Sequence, residues 1–130
     1  NMNTKELINY FEKKYDRNIN DFNFIECHEI SCFEYLTEEF IEKYQNKVVW
    51  GLISKYQKLT EEFIEKYQNK VSWYCISKYQ KLSGEFINKN KDIIDWGYIS
   101  KENKINYLKY QAKNNIISNE DYFKELLKLK

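Results

Sequence analysis

The 130-residue chain has no proline, three glycines, one histidine and, among 21 basic residues, a single arginine. Each scarcity excludes something. Glycine occurs only at 51, 84 and 97, so no flexible linker is visible and nothing in the composition marks a domain boundary. One histidine, His28, leaves Cys27-His28-x-x-x-Cys32 with metal-binding residue types but without a zinc spacing. Cys75 stands alone, so neither a metal nor a cofactor is expected. There is no glycine-rich phosphate loop and no G-x-S-x-G turn. Arg17 alone cannot supply the bidentate phosphate contacts that arginine usually makes. The abundance of Lys, Asn, Ile and Tyr reports an A/T-rich genome rather than chemistry. No apolar run approaches the length of a membrane span, and the N-terminus has no signal-like pattern. Three cysteines, an odd number, fit a reducing compartment, so a cytoplasmic protein with no membrane contact is expected. Net charge is +1, which withholds the basic excess that nucleic-acid binders carry. Residues 1–35 hold four basic and seven acidic groups, leaving a modest positive excess downstream.

What the chain does have is a 23-residue unit repeated three times in phase. The copies are 36–58 (LTEEFIEKYQNKVVWGLISKYQK), 59–81 (LTEEFIEKYQNKVSWYCISKYQK) and 82–104 (LSGEFINKNKDIIDWGYISKENK). A fixed period this short predicts a stacked array. Each copy has two helix starts. Thr60 is placed to cap the first, with Glu61 and Glu62 in its first turn and Leu59 and Ile64 as a hydrophobic staple. Ser72 is placed to cap the second, between Val71 and Ile76; Asp95 takes that place in the third copy, and Val49, a poor cap, in the first. Phe63, Ile64, Tyr67 and Val71 share one helical face, and Trp73, Ile76, Ser77 and Gln80 share another. Trp50, Trp73 and Trp96 are expected in the core, and the small Ser54, Ser77 and Ser100 are expected to admit close helix approach. One unit buries too little apolar surface to offset its own ordering, so the copies must pack on one another.

The ends read as degenerate caps. Ile25–Ser31 lines up 23 residues before Val48–Ser54, with Cys27 in the Trp place. Thr4 is placed to cap a helix through Tyr15. Residues 107–113 should be helical, and a last helix should start at Ser118 with Tyr122, Phe123, Leu126 and Leu127 inward. The expectation is one all-α domain, a short α-solenoid of about ten helices. Residues 1–35 form its N-terminal cap, 36–104 its three repeats and 105–130 its C-terminal cap.

The pattern Phe-Ile-x-Lys-Tyr-x-x-Lys-Val-x-Trp-x-x-Ile-Ser, carried here by Phe63, Ile64, Lys66, Tyr67, Lys70, Val71, Trp73, Ile76 and Ser77, resembles a short tandem repeat of proteins from giant viruses, phages and A/T-rich bacteria. The resemblance spans about residues 20–115. It implies viral or phage ancestry and a binding role, and assigns no functional residue. Asn90 in place of Tyr, and Gly84 in the first helical turn, set the third copy apart. By analogy of class, a phage protein of this size without a catalytic motif suggests an inhibitor of host defence, the anti-CRISPR type included.

The first two copies agree at 20 of 23 places. They differ at Val49/Ser72, Gly51/Tyr74 and Leu52/Cys75, where the third copy has Asp95, Gly97 and Tyr98. In recognition arrays the scaffold repeats and contact positions vary, so these nine residues are the candidate edge for a host protein partner. Tyr74 and Tyr98 are its best anchors. The competing reading is a single-stranded nucleic-acid binder that uses Lys55, Lys78 and Lys101 with Tyr56 and Tyr79. The repeated carboxylate pairs are explained by their place in first helical turns, and no enzyme is expected.

Overall fold

The computed structural model describes residues 1–130 and is helical throughout, with nine α-helices and no strand. The chain divides into two compact units, Asn1–Ser72 and Trp73–Lys130, the division falling inside the second 23-residue copy.

The first unit holds α1 (Thr4–Tyr15), a 3-10 turn (Ile19–Asp21), α2 (Phe24–Ser31), α3 (Glu38–Lys43), α4 (Trp50–Tyr56) and α5 (Glu61–Lys66). Asn3, not Thr4, caps α1, in a capping box with Glu6. Thr4 is instead buried, its hydroxyl 2.6 Å from that of Thr37. Thr37 and Thr60 cap α3 and α5 through their side-chain oxygens, as their position before two glutamates leads one to expect. These two helices run only six residues. They end at Tyr44 and Tyr67, and a tight turn follows before Val48 and Val71 re-enter the core. Helices this short do not persist alone in water, so tertiary packing holds them. Leu7, Phe11, Ile30, Phe40, Ile41, Ile53 and Ile64 form the fully enclosed interior. Phe11 meets Phe33 edge-on at 5.0 Å between ring centroids. Cys27 is buried in the Trp-equivalent place, but Ile25 is two-thirds exposed, because Asn23 starts α2 earlier than the repeat alignment predicts.

Recurring hydrogen bonds tie this unit together. The buried Ser31 hydroxyl donates to the Cys27 carbonyl and accepts the Val49 amide at 2.8 Å. Ser54 does the same with the Trp50 carbonyl and the Ser72 amide. The amide therefore comes from 18 residues downstream in each case. The uncapped start of α4 at Val49 is thus met by a hydroxyl from the end of α2. The serine is needed for its oxygen as well as for its small size. Gln57, also buried, donates to the Ser31 and Phe33 carbonyls and accepts from the Leu36 amide.

The second unit holds α6 (Trp73–Tyr79), α7 (Gly84–Lys89), α8 (Lys101–Lys113) and α9 (Asn119–Lys128). Ile76, Ser77, Leu82, Phe86, Ile87 and Asn103 are its most enclosed residues. The third copy lacks its second helix. Asp95 caps none; it opens a single turn closed by the Tyr98 amide on the Asp95 carbonyl at 3.1 Å. The helix starts five residues late, capped by Ser100, and continues for 13 residues. Ser118 caps α9, as expected. Tyr122 and Leu126 are half-buried, whereas Phe123 and Leu127 are about 60% exposed rather than inward.

None of the tryptophans is a core residue. Trp50 is half-buried, donates its indole N–H to the Gln45 carbonyl, and lies over Phe63 at 6.2 Å and Tyr67 at 5.3 Å. Trp73 stacks on Phe86 at 6.2 Å. The interior that the tryptophans were expected to fill is taken by Ile53 and Ile76, each with no exposed surface.

Candidate interaction surface

The outward face of α6 carries Tyr74, Lys78 and Tyr79. Tyr74 and Lys78 are four residues apart and so share a helical face. The Lys78 ammonium lies 3.2 Å from the Tyr74 hydroxyl, 5.5 Å from the centre of its ring and 5.4 Å from that of Tyr79. The hydrogen bond to Tyr74 holds the Lys78 pKa above the usual lysine value.

Tyr98 arrives beside them because the third copy makes a turn where its predecessors make a helix. Ser77 on α6 holds both ends of that turn. Its hydroxyl accepts the Asp95 amide at 2.9 Å, and its carbonyl accepts the Ser100 amide at 3.1 Å. The Tyr98 ring then meets Tyr74 edge-to-face, with centroids 4.6 Å apart and planes at 63°. Such a pair is favourable beyond the area it covers. Tyr74 is 38% exposed, Tyr79 43% and Tyr98 55%, so three rings and one cation face solvent together.

The nine candidate contact residues are divided between the two units. Tyr74, Cys75, Asp95, Gly97 and Tyr98 belong to the second unit, where Cys75 and Asp95 are half-buried and Gly97 is exposed. Val49, Gly51, Leu52 and Ser72 belong to the first unit and are half-buried there. The amides of Val49 and Ser72 are held by serine hydroxyls. Of the five residues singled out for nucleic acid, Lys78 and Tyr79 join the aromatic cluster. Lys55 lies over the ring of Tyr56 at 5.1 Å in the first unit. Lys101 opens α8 instead of closing a helix, so it does not repeat the setting of Lys55 and Lys78.

His28 is exposed, Cys27 is buried and Cys32 is exposed; no three His, Cys, Asp or Glu residues gather as a metal site. Desolvation raises the pKa of both the Cys27 and the Cys32 thiol, which disfavours the nucleophilic thiolate. No helix is long and apolar enough to cross a membrane.

Sequence reasoning overlooked the buried amides. Gln57, Gln80 and Asn103 recur at 23-residue intervals and are all buried. A carboxamide kept in phase among apolar neighbours was the available signal. It also overlooked a groove formed by Trp96, Tyr107 and α9. No protein-family model, curated protein or solved structure matches this chain.

Proposed function

We propose that this protein is a non-catalytic, protein-binding module whose contact surface centres on Tyr74 and Tyr98. The observation that carries the reading is their edge-to-face pairing at 4.6 Å on an exposed face. Tyrosine offers a large, rigid contact area with a polar tip, and interfaces favour it for that reason. Both tyrosines stand at places where the repeats differ, so the scaffold is kept while the contact varies. The repeat resemblance supports the more concrete version: a phage or viral inhibitor that docks on a host defence protein, of the CRISPR kind, and blocks it sterically. In this reading the helix pairs stack as a short α-solenoid. The recurring serine and amide bonds within each unit support that reading.

The test is capture of the partner by the wild-type chain and by a Tyr74→Ala/Tyr98→Ala variant, with Tyr35→Ala as an exposed control. The double variant should lose capture and the control should keep it. Equal capture by all three would remove the tyrosine pair from the interface.

A second reading draws on Lys78 between two exposed rings, an arrangement suited to stacked bases of single-stranded nucleic acid. Salt separates the two. Nucleic-acid binding falls steeply as salt rises several-fold, whereas a mainly apolar protein interface responds weakly.

A further inference from the structure

In the first two copies, each tryptophan ring is covered by the phenylalanine 13 residues downstream: Trp50 by Phe63 and Trp73 by Phe86. The third copy breaks this rule. The residue 13 after Trp96 is Lys109, which is exposed. Trp96 keeps its indole hydrogen bond, to the Lys91 carbonyl at 2.9 Å, so the ring is held in place. Its remaining aromatic neighbour is Tyr107, at 5.2 Å and tilted by 47°, and 41% of the tryptophan is open to solvent. The two rings line a groove of about 360 Å³ together with Leu108, Lys104, Asp121 and Glu125. That volume is of the size that small ligands or single side chains occupy.

Asp121 and Glu125 are four residues apart on α9 and share a face. Glu125 also contacts Lys128 at 2.9 Å, but both side chains are well exposed and such a pair binds loosely. The lining residues themselves carry two carboxylates and one lysine, a negative balance beside two aromatic rings. Both features attract an organic cation, since the ring face and the carboxylates favour the same sign of charge.

We propose that this groove binds the basic side chain of a polypeptide, arginine or lysine, its cationic head against Trp96 and Tyr107 and its charge answered by Asp121 and Glu125. The groove does not depend on the Tyr74–Tyr98 pair.

The experiment is a titration followed by the indole N–H signals in a nitrogen–proton NMR spectrum, where three tryptophans give three resonances. Trp96→Phe identifies the signal of interest. The probes are N-acetyl-arginine methylamide and its N-acetyl-trimethyllysine counterpart, with the norleucine and phenylalanine derivatives as neutral controls. The cationic probes should move the Trp96 signal and leave those of Trp50 and Trp73 in place. Asp121→Asn/Glu125→Gln, at exposed or half-buried sites, should weaken this response about tenfold, and Lys104→Met should strengthen it about threefold. The proposal is overturned if no probe moves the signal or if the double variant responds like wild type. It is equally overturned if a neutral probe binds as well as the cations, which would make the groove a seat for an apolar ring.

Discussion

Gly84 stands so close to α8 that a β-carbon on it would lie 2.4 Å from the Tyr110 β-carbon and 2.4 Å from the Asn106 carbonyl oxygen. The first two copies carry glutamate at this place, Glu38 and Glu61. In the third, the 13-residue α8 lies directly against α7, and only a residue without a side chain permits it. Gly84→Ala should therefore destabilise the protein by about 2–3 kcal/mol, although alanine is the better helix former by nearly 1 kcal/mol. Chemical denaturation measures it. A variant as stable as wild type would show that α7 and α8 are free to separate.

The feature that carries the fold, the 23-residue period, lies in plain view, and so do the caps Thr37, Thr60, Ser83 and Ser118. Side-chain capping is local, so a hydroxyl before a run of acidic and apolar residues reveals it. The missing second helix of the third copy is not local. Asp95 is a good cap residue, and the turn there depends on Ser77, 18 residues upstream. The tryptophans misled for a similar reason. Size suggests a core residue, whereas their place is set by rings in the following copy. At the surface, Tyr74 and Tyr98 were named from repeat differences, but their meeting with Lys78 required the turn geometry.

Ser77→Ala tests the link between that turn and the aromatic surface. The substitution removes the hydroxyl that accepts the Asp95 amide and leaves the amide to find water. The expected loss of stability is about 1–2 kcal/mol, a typical cost for one buried partner. The Tyr98 ring should also lose its fixed contact with Tyr74, seen as ring-proton shifts moving toward free tyrosine. Unchanged shifts would mean that the turn holds without Ser77.

Glu42 and Lys66 form an exposed pair, the ammonium 3.1 and 3.2 Å from the two carboxylate oxygens. The hydrogen bond from Lys66, then that from Tyr67, holds the Glu42 carboxyl below the ordinary carboxylate value. A folded-state pKa that is lowered adds stability above the unfolded value, and this is lost as pH falls through the folded value. The gain is therefore present at neutral pH and disappears on acidification; exposure and salt keep it small. A carbon-detected titration should show the Glu42 midpoint rising in Lys66→Met. No movement would show that the pair does not persist in solution.

Asn103 repeats in the second unit what Gln57 does in the first. It donates to the Ser77 and Gln80 carbonyls at 3.1 and 2.7 Å and accepts from the Leu82 amide at 2.9 Å, with no exposed surface. Three backbone groups, one on α6 and two in the segment after it, bond to this one carboxamide. Asn103→Leu would keep the volume and remove all three bonds, leaving the Gln80 carbonyl and the Leu82 amide without this partner, at a cost of about 2–4 kcal/mol. Asn103→Asp separates hydrogen bonding from packing. The acid has the same shape but must stay protonated to donate in a buried site, so its folded-state pKa would be raised. A raised carboxyl pKa costs nothing below the unfolded value and an increasing amount as pH climbs above it. A protonated carboxyl has one O–H and replaces only one of the two donated bonds, so the aspartate variant should be moderately destabilised near pH 3 and far more so at pH 7, whereas the leucine variant should be equally weak at both. Denaturation curves at the two pH values decide it. An aspartate variant as stable at pH 7 as at pH 3 would mean that the site takes in water and that the amide is not what closes the turn.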